Sequence, residues 1–300
     1  MKKVLLPLLL LLLLSCERIP GGEGISVVFT PLPTPEVKSD DPEDEDLVSD
    51  LNIFLYGWDG GLEEHRFIPR RLLGGNCSFG MDLLSGGTYT ICVCANMGYS
   101  LYAPPKLDSL KNMRFHLAYP DEYTMGIPMS GCLENFSPDG SGEQTVPLRR
   151  MMAKISVGMD RSALDGDVRI YVRRISVGNC PSSALLFGNS SARGGDDVFA
   201  SGFSKADMKA EALNRTPSGT VDLYLLENMG EDTGCWIEME LEYHSDLFHT
   251  PPGEYLIYRF HTGEVRRNTS RSITVRPEGD GLNGDSWRVD RSALEPLSGT

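Results

Sequence analysis

Basic residues are few in this chain: 28 Lys and Arg stand against 42 Asp and Glu, a net charge of −14. Such a surface repels phosphate backbones and excludes a general nucleic-acid binder. Histidine is scarce as well. His65, His116, His244, His249 and His261 form no H-E-x-x-H and no pair at metal spacing, so no metal site is expected. C-x-x-C is absent, which argues against a thioredoxin-type centre or a zinc site. G-x-S-x-G is absent, and with it the nucleophile elbow. No apolar run reaches the roughly 20 residues that span a bilayer. Absent motifs leave a catalytic triad on another fold open, but no residue set in the sequence offers itself as one.

Two apparent sites dissolve on inspection. Gly279, Gly281 and Gly284 spell G-x-G-x-x-G, but the residues after them (Trp287, Arg288, Val289) read extended. Pyrophosphate binding needs a helix N-terminus there. Glu238, Glu240 and Glu242 alternate along one strand face, about 7 Å apart, a spacing within reach of glycoside hydrolysis. Nothing near them would bury one carboxyl and raise its pKa, so they read as a solvated face.

What the chain has is turn chemistry: 32 Gly and 19 Pro, which suits many short strands. It also has a leader. Lys2 and Lys3 precede an apolar stretch at 4–14, followed by Ser15 and Cys16. A positive start, a short apolar segment and a small residue before a cleavage point make an export signal. Leu13-Leu14-Ser15-Cys16 resembles a bacterial lipobox, which implies a mature N-terminus at Cys16 bearing acyl chains on sulfur and amine. Two or more chains anchor a protein stably. Removing residues 1–15 takes away two lysines and no acid, so the mature charge is −16. Beyond Cys16 lie Cys77, Cys92, Cys94, Cys132, Cys180 and Cys235. An even count in an exported chain permits three disulfides in fifteen connectivities, and buried free thiols are the other reading. Cys92 and Cys94 share a strand face and point the same way, which disfavours a bond between them.

Along the chain, 17–24 reads as a tether and 25–30 (ISVVFT) as a first strand. Residues 40–46 (DDPEDED) are an acidic loop matching no EF-hand spacing. Strands follow at 51–58, 76–84, 88–97, 151–159, 167–177, 220–226, 235–243, 254–261 and 272–276. Asp59-Gly60 marks a hairpin, 107–117 suits one short helix, and 126–131 is rich in turn residues. The alternation of Ile237, Met239, Leu241 and Tyr243 with the three glutamates gives one face to a core and one to water, as in an antiparallel sheet. About a dozen short strands with few helices predict an all-β chain of two β-sandwiches. The organisation expected is leader 1–15, lipidated tether 16–24, N-terminal sandwich 25–147 and C-terminal sandwich 148–300.

Several segments then carry a likeness: GIPMSG at 126–131, LRRMMAKISV at 148–157, YLLENM at 224–229, Arg267-Asn268-Thr269 before the strand SITV, and SWRVD at 286–290. With the lipobox, this ordered set resembles the fimbrillin superfamily of Bacteroidetes type V pili, and within it the FimB/Mfa-type minor subunits that serve as lipoprotein anchors. The resemblance implies two tandem transthyretin-like antiparallel β-sandwiches, export as a lipoprotein to the outer membrane, and assembly with other fimbrial subunits by strand exchange. In that scheme a polymerising subunit loses its first strand to an Arg-specific protease, and a neighbour's C-terminal strand fills the groove by β-augmentation. This chain departs from the polymerising pattern. Between Arg18 and Arg66 it has no arginine, and Lys38 is the sole basic residue. The first strand, with Ile25, Val27 and Phe29, is therefore expected to stay, as an anchor requires; a stalk or tip subunit matured by another protease is the competing reading. Trp287, Val289 and Leu294 are candidate donor-strand residues, or a tail folded on its own domain. Asp108-Ser109-Leu110 resembles a short O-glycosylation motif, which would place a glycan on Ser109. No cofactor is expected beyond the lipid on Cys16. The alternative to a filament is a lipid-anchored binding module for glycan or host protein, using loop aromatics such as Tyr99, Tyr102 and Tyr119.

Overall fold

A computed structural model describes residues 24–33, 47–73, 77–116, 126–140, 142–188, 198–199, 210–215, 219–229, 234–247 and 255–296. The leader, Cys16, the tether before Gly24, the acidic stretch 40–46 and Tyr119 lie outside the described residues. The element order is β1 (Gly24–Pro33), β2 (Asp50–Gly57), β3 (Leu62–Pro69), β4 (Phe79–Leu84), β5 (Tyr89–Ala95), α1 (Leu107–Lys111), β6 (Arg114–His116), β7 (Met129–Phe136) and β8 (Gly142–Arg150). It continues with β9 (Met152–Met159), β10 (Val168–Gly178), β11 (Cys180–Pro181), β12 (Ser183–Leu185), β13 (Val198–Phe199), α2 (Ala212–Arg215), β14 (Thr220–Leu226), β15 (Trp236–Ser245), β16 (Tyr255–His261), β17 (Thr269–Arg276), β18 (Arg288–Arg291) and β19 (Glu295–Pro296). The fold is all-β.

Strands β3-β2-β5-β7-β8-β1-β4 hydrogen-bond in that order. β7 and β8 meet only at Met129–Arg150 and Ser130–Arg149, so the ribbon folds over on itself there. The inward residues of both halves, among them Val27, Phe29, Ile53, Met81, Ile91 and Leu148, then close one core. A second core lies between β10-β15-β16 and β14-β9-β17-β18. Burial alternates without a break along β15, as its sequence predicts. Along β10 a bulge between Val172 and Arg174 shifts the register. It keeps Ile175 and Val177 inward after two adjacent exposed arginines, the usual effect of one inserted residue.

The sheets depart from a purely antiparallel plan in two places: β1 runs parallel to β8, and β17 parallel to β9. Long crossovers join these pairs, which is what parallel neighbours require. The helix expected over 107–117 ends at Lys111, because Arg114–His116 pair as a strand with β12 instead. The turn-rich segment 126–131 runs into β7 from Met129 onward. Gly131 sits there because a Cβ at that position would lie 1.9 Å from the carbonyl oxygen of Pro147 on β8. Backbones that approach this closely tolerate no side chain. Gly131→Ala is expected to destabilise the chain by roughly 2 kcal/mol or more, read as a lowered urea midpoint with an unchanged slope.

The passage from one core to the other is the single residue Met151. Around it, the opposite face of β2 and β5 packs a third apolar cluster that includes Phe54, Cys94, Leu110, Met152, Leu186 and Leu226. The polar residues of this junction come from the segments that carry the likeness. Asn268, at φ 55°, donates its backbone N–H to the Met152 carbonyl. Its Oδ1 accepts from the Arg150 backbone N–H at 3.3 Å and from Arg150 Nη1 at 3.4 Å. Met151 N–H donates to Pro128, and Ser130 Oγ donates to the Leu186 carbonyl. Arg267 and Glu227 form a buried ion pair.

Candidate strand-exchange site

β1 fills a slot in the middle of a sheet. One edge pairs parallel with β8, from Val27–Gly142 to Pro33–Leu148; the other pairs antiparallel with β4, from Gly24–Leu84 to Phe29–Phe79. Period-2 alternation sends Ile25, Val27, Phe29 and Pro31 inward and Ser26 and Val28 outward. Phe29 is fully buried, stacked on Phe79 at 5.5 Å between centroids and edge-on to Phe136 at 5.6 Å. Ile25 is half-buried at the mouth of the slot. Thr30 Oγ1 donates to Glu143 Oε1 at 2.8 Å and lies 3.0 Å from Ser78 Oγ, which fixes the register at the far end. Among the described residues β4 has no other strand partner. Lifting β1 out would therefore expose two sheet edges and a row of apolar pockets at two-residue spacing, which is the receptor half of a β-augmentation site.

The tail, which holds the candidate donor residues, pairs within its own chain. β18 pairs antiparallel with β17, Val289 opposite Val275, and β19 pairs with the start of the same strand. β18 is the last strand of its sheet among the described residues. Val289 is half-buried against the second core, Leu294 is half-buried beyond it, and Trp287 is buried with its ring 4.3 Å from that of Tyr258. In this conformation the three candidate donor residues lie on their own chain.

Solved structures share this fold. A candidate cell adhesion protein of Bacteroides eggerthii matches with a TM-score of 0.64 and 14% identity, over 92% of this chain and 97% of its own. The tip fimbrial protein Mfa3 of Porphyromonas gingivalis, truncated at its C-terminus, matches at 0.57 and 12% over 91% and 99%. A fimbrilin (fimA) of the same species matches at 0.55 and 13% over 90% and 97%. The chain has the fimbrillin fold. No protein-family model matches it, and no curated protein matches its sequence.

Within this fimbrillin fold, the remaining candidates fall in separate places. Ser109 is exposed on α1, while its neighbour Leu110 is fully buried. Tyr99 and Tyr102 are exposed and well removed in sequence from β1 and the tail. The three glutamates of β15 meet arginines: Glu238 with Arg259 at 2.5 Å, Glu240 with Arg174 at 3.9 Å, and Glu242 with Arg173. The bond from Arg173, with a further one from His244, holds the Glu242 carboxyl below its usual range. The stability this lends is present above the ordinary glutamate value of 4.5 and is lost as pH falls through the lowered folded value. These are charge pairs on a wet sheet face. No metal-holding group of His, Cys, Asp and Glu occurs among the described residues, nor any helix long and apolar enough to cross a membrane.

Of the six cysteines after Cys16, Cys92 and Cys132 form a disulfide between directly opposed residues of β5 and β7. This agrees with the expectation that Cys92 and Cys94 do not pair. Cys77, Cys94, Cys180 and Cys235 are reduced in this structure. Sequence reasoning missed Trp58. It is 85% exposed at the tip of the β2–β3 hairpin, on the rim of a cavity of about 470 Å³ lined also by Asp59, Lys106, Asp108 and Asn135. A large exposed aromatic next to the Asp-Gly turn was the available signal.

Proposed function

We propose that the protein is a subunit of a bacterial cell-surface fimbria, in the anchor or minor-subunit position. It is tied to the outer membrane by acyl chains on Cys16, and it meets other fimbrial subunits by strand exchange. The observation that carries the reading is the way β1 is held. It is an integral, fully packed strand between β8 and β4, and the stretch between Arg18 and Arg66 has no arginine at which an Arg-specific protease would release it. With β1 retained, this slot is closed to a neighbour's strand and Cys16 stays joined to the body, so the chain ends a filament on the membrane side. The fold shared with a tip fimbrial protein and a fimbrilin supports the fimbrial part of the reading. The outward partner strand is assigned to the tail, with Trp287, Val289 and Leu294 as inserting residues after release from β17. The two bodies 25–147 and 148–300 act as its two β-sandwich domains, and Ser109 is its assigned glycan acceptor.

N-terminal mass spectrometry of the native protein tests this reading. The expected result is a chain beginning at an acylated Cys16 with residues 24–33 present. A mature chain that begins beyond Pro33 sinks the anchor reading. Deleting the gene in a piliated strain is expected to change retention or length of the fimbriae. Unchanged fimbriae remove the structural role altogether. The second reading, a lipid-anchored module binding glycan or host protein outside any filament, is favoured by exposed Trp58 and its polar rim, since sugar rings stack on such aromatics beside hydrogen-bonding groups. Glycan-array binding by the isolated monomer, with no immunogold-labelled filament, selects it.

A further inference from the structure

The ladder between β10 and β15 ends at the pair Gly178–Trp236. One residue further on, Asn179 takes a left-handed backbone, φ 54°, and turns the chain back across the start of β15. Its side-chain Nδ2 donates to the Gly234 carbonyl at 3.1 Å. The amide of Asn228 ties the same place together: Nδ2 donates to the carbonyl of Asn179 at 3.1 Å and contacts Cys235 Sγ at 3.6 Å. The backbone entering Cys180 and the sulfur of Cys235 therefore share one donor. Cys235 is held in place by Thr262, whose N–H and hydroxyl both donate to its carbonyl, at 2.9 and 3.1 Å. Cys180 is 3% exposed and Cys235 is fully buried, both in the second core, and the two thiols are near enough to interact.

We infer that Cys180 and Cys235 are a second cross-link of this chain, a disulfide that clamps the crossover after β10 to the start of β15. The inference rests on export, as proposed above, because an oxidising compartment is where such bonds persist. The Cys92–Cys132 bond already marks the chain as one that holds a disulfide. Forming the new bond removes two electrons and two protons from the pair. A thiolate of one cysteine attacks the disulfide of an oxidising protein thiol oxidoreductase, giving a mixed disulfide and a released thiolate on that enzyme. The second cysteine then attacks the sulfur of its neighbour, the new bond closes, and the oxidoreductase leaves as a dithiol. The exchange belongs to folding, before the core closes. Afterwards burial pushes the Cys180 thiol well up, which leaves too little thiolate to react. Cys77 and Cys94 stay as thiols; burial, with Asp50 nearby, pushes the Cys94 thiol up as well.

The full chain, exported with its own leader, is quenched at lysis with N-ethylmaleimide under denaturing conditions and digested without reduction. Peptide mapping is expected to find Cys180 and Cys235 in one cross-linked species, two hydrogens lighter than the separate peptides, with Cys77 and Cys94 labelled. In the Cys180→Ser chain, Cys235 is expected to become fully labelled. Labelled Cys180 and Cys235 beside an intact Cys92–Cys132 bond overturn the inference and leave the export reading standing. Label on all four of these cysteines overturns both.

Discussion

A chain cut after Pro33 and stripped of β1 is expected to lose the tertiary structure of its first core, and a synthetic peptide of residues 24–33 to restore it. The strand contributes fully buried Phe29, nearly buried Val27 and half-buried Ile25. It is the one strand that connects β4 to the sheet among the described residues. Truncating Phe29 to Ala alone should cost about 3–5 kcal/mol, because the pocket between Phe79 and Phe136 is too well packed to collapse. Losing every inward residue of β1 and two ladders together exceeds the roughly 5–15 kcal/mol that holds a domain folded. Val28→Thr on the outward face should change stability by less than about 0.5 kcal/mol, which separates loss of the pockets from loss of the strand's sequence in general. Near-ultraviolet circular dichroism and urea unfolding read the loss, and peptide titration reads the rescue. A stripped chain with native tertiary signal would show that β1 is dispensable, and the slot would no longer be a receptor site.

The all-β architecture was legible in this sequence because its strands are half-buried and alternate, as β15 and the first half of β10 do. Legibility failed where the alternation is masked. β3 is half-buried along nearly its whole length, so no apolar face marks it. β8 carries Pro147 and begins inside a Gly/Ser-rich stretch, and it is a strand because β1 pairs with it over seven residues. The bulge in β10 breaks the period at two arginines. Parallel pairing of β1 with β8 is a long-range fact that no local pattern encodes. The slot's inward residues could be read from ISVVFT, but its walls, β4 and β8, come from segments 50 and 115 residues away. The likeness segments were legible as words and opaque as chemistry. Only in the fold do Arg150, Glu227, Arg267 and Asn268 prove to be one buried polar junction. Cys92–Cys132 was likewise one of fifteen possible pairs of six cysteines until the β5–β7 register placed the two residues opposite each other.

That junction carries the second large effect. Glu227→Ala is expected to destabilise the chain by roughly 3–5 kcal/mol, the range for breaking a buried ion pair by removing one partner. Glu227 and Arg267 have side chains only 4% and 5% exposed, with Arg267 Nε 3.4 Å from Glu227 Oε2. Burial pulls the Arg267 guanidinium downward in pKa and the Glu227 carboxylate pulls it back, so removing the carboxylate strands a cation in a dry site. Arg267 also donates from Nη2 to the Leu185 carbonyl at 2.9 Å, and Leu185 belongs to the strand that pairs with β6. The pair therefore ties the β14 and β17 ends of the second core to a segment seated against the first. Two measurable consequences separate this from a generic core lesion. The double variant Glu227→Leu with Arg267→Met should recover most of the loss, since apolar replacement of a whole buried pair is often close to neutral, and the cycle should show strong coupling. If the double variant is as unstable as the sum of its parts, the ion pair is incidental, and the two cores are joined by apolar packing around Met151 and Met152 alone.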